Sequence, residues 1–268
     1  MWEEDLEASA RRKVAWLIGI VAAAALAAGG YYFWRVRHET PAPAPVPVAA
    51  PAAAENTEGQ IAHPLPGDAG TAALPALNDS DQVARDSLAG VIGQAPVERF
   101  LVPQNIIRHI VVTVDNLPRR KLAIDLRPVK ATPGQTVVST QGEQTLLSPA
   151  NFARYAPLVK VIESTDAKSL ALVYERLYPL FQQSYEDLGY PGKYFNDRLV
   201  EVIDHLLQTP EPAGPLQLTQ PKVFYEFADP ELEGRSAGQR LLLRMGPENA
   251  RAIKAKLREF RAEIVKKK

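Results

Sequence analysis

The 268-residue chain contains no cysteine. This excludes structural disulfides, thiolate metal sites and a cysteine nucleophile, and it suits an oxidising compartment in which stray thiols are a liability. Net charge is also lacking, because 31 Lys and Arg are matched by 31 Asp and Glu. No glycine-rich phosphate loop, EF-hand calcium loop or HExxH zinc motif occurs. No segment repeats, and strands do not alternate with helices as a doubly wound sheet requires. Nothing in the remaining sequence calls for a cofactor.

What the sequence does have is one long apolar run. Residues 14–34 carry no charge over 21 positions. As a helix this run spans roughly 30 Å, the thickness of a bilayer's hydrocarbon core. Its far end reads Tyr31-Tyr32-Phe33-Trp34 and then Arg35, an aromatic belt followed by a cation, as found at a membrane–water interface. We read 14–34 as a single transmembrane helix whose partner is the lipid bilayer. The rival reading is a cleaved export signal, with Arg11-Arg12-Lys13 as its charged start and Ala25-Leu26-Ala27 as its cleavage site. The apolar run outlasts what such a signal needs, which favours a retained anchor. Arg11, Arg12 and Lys13 on one side outnumber Arg35 and Arg37 on the other. The positive-inside rule therefore makes residues 1–13 a cytoplasmic tail.

Residues 35–76 follow as a Pro/Ala-rich disordered tether. Pro41, Pro43, Pro45, Pro47 and Pro51 alternate with small residues, and Pro64 and Pro66 come later. Proline fixes φ and removes hydrogen-bond donors, so helix and sheet are excluded there. An extended spacer of this length reaches on the order of 100 Å.

Residues 77–268 read as one globular domain, mainly α with a small β-hairpin. Ser80 is placed to cap a helix through Ala84, Leu88 and Ile92, with Gly93 as its stop. A second helical pattern, with some strand ambiguity, runs Ile107, Ile110, Val111, Val114. Residues 118–133 lose periodicity. Residues 136–147 read as a hairpin turning at Gln141-Gly142, and Ser148-Pro149 as a helix start. Thr165 and Asp166 open a longer helix that Pro179 should kink and Gly189 should end. Asn196 is read as the cap of the next helix, residues 216–227 as a short strand, Ser236 as a further cap, and Pro247 as the start of the last helix.

Three features carry candidate chemistry. Glu201, Asp204 and His205 lie on one helix beside Asp197 and Gln208, and a carboxylate–histidine face can serve acid–base catalysis or bind a metal. They are also the polar positions left once the apolar face is assigned, which is the plainer reading. Gly234-Arg235-Ser236-Ala237-Gly238 matches the G-x-S-x-G nucleophile elbow. The elbow needs a core strand before it, which Asp229-Pro230-Glu231 cannot be, so Ser236 reads as a helix cap with Gln239 at capping-box spacing. Five tyrosines between Tyr174 and Tyr194 make an aromatic-rich centre, suited to stacking on a ligand but more simply to core packing.

Charge is polarised along the domain. Residues 78–234 hold 15 basic and 20 acidic side chains, whereas 235–268 hold 11 basic and three acidic. Arg251, Lys254, Arg258 and Arg261 repeat at helical spacing and are candidate contacts for an anionic partner, such as an envelope protein or anionic polymer.

Several stretches resemble the bacterial domain-of-unknown-function family 3014. They are LPALNDSD (74–81), NFARYAPLV (151–159), LYPLFQQSYEDLGYP (177–191), FNDRLVEVIDHLLQTPEP (195–212), and QPKVFYEFADPELE (220–233) running into SAGQRLLLRMGPENA (236–250). The resemblance implies a bacterial envelope setting and the same order of membrane helix, tether and domain. It brings no activity and no catalytic residue. The sequence thus favours a non-enzymatic, single-pass protein of the bacterial inner membrane, with a periplasmic domain that binds an envelope component. The alternatives are an envelope hydrolase using the carboxylate–histidine face, and a cytoplasm-facing domain binding anionic lipid or nucleic acid. Nucleic acid is the least favoured partner.

Overall fold

Apolar residues at three- and four-residue spacing make helices that must bury one face, and the longest of them organises the rest. The computed structural model describes residues 61–65 and 73–265. The expected cytoplasmic tail, the expected membrane span at 14–34 and most of the expected tether lie outside the described residues. Among the described residues no helix is long and apolar enough to cross a membrane. All of them belong to one contact unit, Thr57–Lys268.

The longest described helix is α6 (Ala167–Asp187), which follows α1 (Asp81–Ile92), α2 (Gln94–Phe100), α3 (Ile106–Asn116), α4 (Pro149–Ala153) and α5 (Ala156–Ser164). It buries Ala171, Tyr174, Leu177, Phe181 and Tyr185 along one stripe. It continues through Pro179 and stops before Gly189, whose φ of 105° suits glycine. Helices α7 (Phe195–Leu207) and α10 (Pro247–Ile264) pack on it together with α1 and α3. The main core forms between these elements, from Ile106, Ile107, Val111, Leu177, Phe195, Val200 and Ile203 among others. The aromatic-rich centre is part of this core. Phe181 stacks on Phe195, Tyr185 on Tyr190, and Tyr174 meets Tyr178 edge to face. Burial raises the hydroxyl pKa values of Tyr174 and Tyr178, so both rings are neutral packing elements.

At the other end sits a four-stranded antiparallel sheet in the order β1 (Val138–Gln141), β2 (Gln144–Leu147), β3 (Gln217–Thr219), β4 (Glu226–Phe227). The expected lone hairpin is half of it, and it turns at Gly142-Glu143, with Gly142 at φ 59°. The expected strand at 216–227 is two strands, and Thr145 pairs with Leu218 to join them to the hairpin. Segments of two and three residues carry too little alternation to be separated by pattern. Short helix α8 (Pro230–Glu233) and helix α9 (Ala237–Met245) then lead to α10. Leu147, Leu218, Phe227 and Leu243 form a smaller core between the sheet and α9.

Helix starts follow the sequence at Ser148, Asp166 and Ser236, where each side chain accepts from a backbone N–H of its own first turn. Asn196 is a correction. It lies inside the first turn of α7 and is fully buried. Its carboxamide donates to the carbonyls of His63 and Ile264 and accepts from the Tyr174 hydroxyl. Those buried groups need partners more than the helix end does. Ser80 also departs from the cap geometry, because its hydroxyl donates to the Leu77 carbonyl.

The boundary at residue 76 is corrected as well. Residues 61–65, read as tether, dock on the start of α7. The Asp197 carboxylate accepts from the backbone N–H of Ala62 (3.1 Å) and of His63 (2.7 Å), and the Tyr194 hydroxyl accepts from Leu65 N–H. Leu65 and Leu74 pack against the main core. Asp81 does the same for α3, accepting from the N–H groups of Asn105 and Ile106 at 2.8 Å each. Hydrogen bonds to a charged acceptor contribute roughly 1.5–3 kcal/mol each. Asp197→Ala should therefore release the 61–65 segment. Amide exchange at Ala62 and His63 is expected to accelerate by at least about tenfold while exchange in α3 is unchanged. Equal protection in the variant would refute the clamp.

Candidate functional site

A cavity of about 360 Å³ lies between the sheet and helices α9 and α10. Small-molecule sites occupy roughly 300–1,000 Å³. Three distant pieces of chain build it. The hairpin and α4 supply Leu146, Leu147, Pro149 and Phe152. Helices α9 and α10 supply Leu242, Leu243, Gly246, Pro247, Ala250 and Lys254. The third piece is the loop from Thr209 to Leu216, stiffened by Pro210, Pro212 and Pro215. Glu211 through Pro215 are exposed, so this loop forms the rim.

Gly246 sets the shape of the wall. It joins α9 to α10 at φ 88°, and a Cβ there would lie 2.4 Å from the Phe152 ring. Only glycine satisfies both the backbone angle and the ring contact.

Among the lining residues Lys254 is the one base and Glu211 the one acid. Lys254 is only 5% exposed. Its ammonium donates to the Thr209 carbonyl at 3.0 Å and to Glu211 Oε1 at 2.8 Å. A buried ammonium without such partners costs several kcal/mol. The other Glu211 oxygen faces Arg251 Nε at 3.4 Å. The hydrogen bond from Lys254, and then its charge, hold the Glu211 carboxyl below its ordinary value, with Arg251 and Arg258 adding to the effect.

A second cavity, of about 160 Å³, lies in the main core. Ile106, Ile110, Val173, Leu177, Leu199 and Phe260 are among its lining residues, and no charged side chain lines it.

The acid–base candidates turn to three different partners. Glu201 is exposed and bonds Arg198 at 2.9 Å. Asp204 holds Arg261 in a bidentate pair at 2.6 and 2.8 Å. His205 Nε2 meets the Ser236 hydroxyl at 2.9 Å. None of the three lines either cavity. Among the described residues no group of three His, Asp or Glu side chains is placed to hold a metal ion.

The His205–Ser236 contact belongs to a helix joint. Ser236 is buried, and its oxygen accepts from Gln239 N–H as a cap. The Gln239 side chain donates to the His205 carbonyl instead of reaching back to the cap. Gly238 donates its N–H to the Leu117 carbonyl, and a Cβ there would lie 2.6 Å from Leu206. The glycine at the end of the elbow-like motif thus permits close packing of α9 on α7.

The cationic face divides in two. Arg251 and Arg258 are exposed. Lys254 is buried and serves the cavity wall, and Arg261 is held by Asp204. Two further groups escaped the sequence reading. The Thr209–Pro215 loop was signalled by its three prolines. Asp115 is 2% exposed and accepts from Arg119 (2.5 Å) and Tyr190 (3.3 Å), with Arg198 at 3.2 Å. It lies one turn beyond the buried Val111 on the flank of the apolar stripe, a place where a carboxylate is itself the signal.

The fold and cavity define a helical domain closed at one end by a small antiparallel sheet, with a ligand-sized space between the two. A family model described as "Protein of unknown function (DUF3014)" matches residues 106–261, and the chain belongs to that family. The match runs from the start of α3 into the last turn of α10 and includes every residue lining the larger cavity. No curated protein and no solved structure matches the chain.

Two outcomes follow from this geometry. Gly246→Ala should destabilise the domain by about 2–4 kcal/mol, through left-handed strain and overlap with Phe152; an unchanged urea midpoint would contradict the wall geometry. The depressed Glu211 carboxyl adds stability that is present above its ordinary value of 4.5 and is lost as pH falls through its lower folded-state value. The gap in urea midpoint between the wild type and Glu211→Gln should accordingly be fully open at neutral pH and close on acidification below 4.5. A gap independent of pH would count against the pair.

Proposed function

We propose that this chain is a non-enzymatic, single-pass protein of the bacterial inner membrane whose periplasmic domain captures a small envelope ligand in the cavity between the sheet and α9–α10. The cavity carries this reading. It has ligand size, mostly apolar walls and one buried lysine paired to a rim carboxylate, the composition of sites that hold small molecules. The candidate carboxylates and histidine stand apart from it, each engaged by a different partner, which favours binding over catalysis. The anchor at 14–34, its aromatic end, the excess of cations before it and the lack of cysteine support the membrane and periplasmic placement.

Two measurements test the proposal. A C-terminal reporter that is active only after export should give signal in cells, and activity of an intracellular reporter in its place would defeat the periplasmic placement. For the cavity, the full chain in lipid nanodiscs is photolabelled with a neutral diazirine-bearing decanol. Label is expected in the peptides holding Leu216 and Leu243, and it should be lost in Ala213→Trp, where a bulky ring on the exposed rim blocks entry. Label within residues 14–34 should be the same in both proteins. Cavity peptides that stay unlabelled in the wild type would overturn the binding reading.

A further inference from the structure

We infer that the ligand of this cavity is a single-chain amphiphile with an anionic head, which takes the place of Glu211 on the buried ammonium of Lys254. The inference rests on the binding reading above and specifies its chemistry.

The cavity has two chemically distinct parts. Its walls come from Leu146, Phe152, Leu242, Leu243 and the ring faces of prolines, which suit an aliphatic chain. Its one cation is Lys254, with almost no access to water. Such a charge needs an anion at all times, so a neutral ligand cannot replace Glu211 there without leaving the ammonium underpaired. An anionic head can, because it exchanges one charge-assisted pair for another.

Glu211 is suited to being the displaced partner. It lies on the exposed rim rather than on a helix or strand, and its side chain is 45% exposed. Its second oxygen already faces Arg251, and Arg258 acts on it electrostatically. Once displaced, the carboxylate keeps water and Arg251 as partners, so little is lost on its side. Lys254 has no such freedom, since the Thr209 carbonyl holds it in place. Arg251, Lys254 and Arg258 lie at i, i+3 and i+7 on α10, so three cations face the single carboxylate of Glu211. The local charge therefore favours a second anion.

The test is competitive photolabelling of the full chain in nanodiscs. The diazirine decanol labels the cavity, and decanoate, decyl phosphate and unlabelled decanol compete below their aggregation concentrations. The excess of cations around Glu211 is expected to give an anionic head about a tenfold preference, so at least one of the anions should compete at about one-tenth of the decanol concentration. Which anion does so separates a carboxylate head from a phosphate head. Lys254→Met should lose the preference yet still be labelled by the neutral probe, which shows that the cavity is intact. Glu211→Gln, which leaves Lys254 an amide oxygen but no internal anion, should strengthen anion competition several-fold. Equal competition by anions and alcohol, or weaker anion competition in Glu211→Gln, would overturn the inference while the binding reading stands. Absence of any cavity label would overturn both.

Discussion

Lys254 keeps an ammonium where water hardly reaches, and the sheet end of the domain depends on keeping that charge paired. Its two bonds fix where the loop after α7 must run, because Thr209 and Glu211 are drawn to α10. That path leaves the space between the loop, the hairpin and α9. Phe152 closes one wall only because Gly246 has no side chain to meet its ring. The cavity is thus a consequence of a charge that must be satisfied and a turn that only glycine can make.

The helix end of the molecule is organised by a different device, polar side chains that reach across to distant backbone. Asp81 caps the start of α3 from the first turn of α1, Asp197 holds residues 62 and 63, and Asn196 joins His63 to the last turn of α10. Such bonds bring the segment after the tether onto the same small region as the C-terminal end of the last helix.

Much of this was legible in the sequence, for identifiable reasons. Helical spacing located α1, α3, α6, α7 and α10, and Ser148, Asp166 and Ser236 announced their own caps because those contacts are local, whereas the short helices α2, α5 and α8 carry too few turns to show a period. Asn196 looked like a cap for the same reason, but its partners lie 22, 68 and 133 residues away in the chain. Lys254 shared a helical face with Arg251 and Arg258, so spacing grouped it with surface cations. Nothing local tells that the carbonyl of Thr209 meets it. Residues 61–65 looked like spacer because their composition carries no signal of the carboxylate that holds them. The cavity was illegible for the strongest version of that reason, since its walls come from three pieces of chain that periodicity treats separately. The three prolines of the rim were the one local signal of this region.

On this account the buried ammonium of Lys254 exchanges its internal carboxylate for the anionic head of a bound amphiphile. The most direct measurement is a crystal structure of the protein with ω-bromodecanoate. The account predicts anomalous bromine density among Leu146, Phe152 and Leu243, the ligand carboxylate within hydrogen-bond distance of Lys254 Nζ, and Glu211 turned toward Arg251. An empty cavity with Glu211 still seated on Lys254 would contradict it.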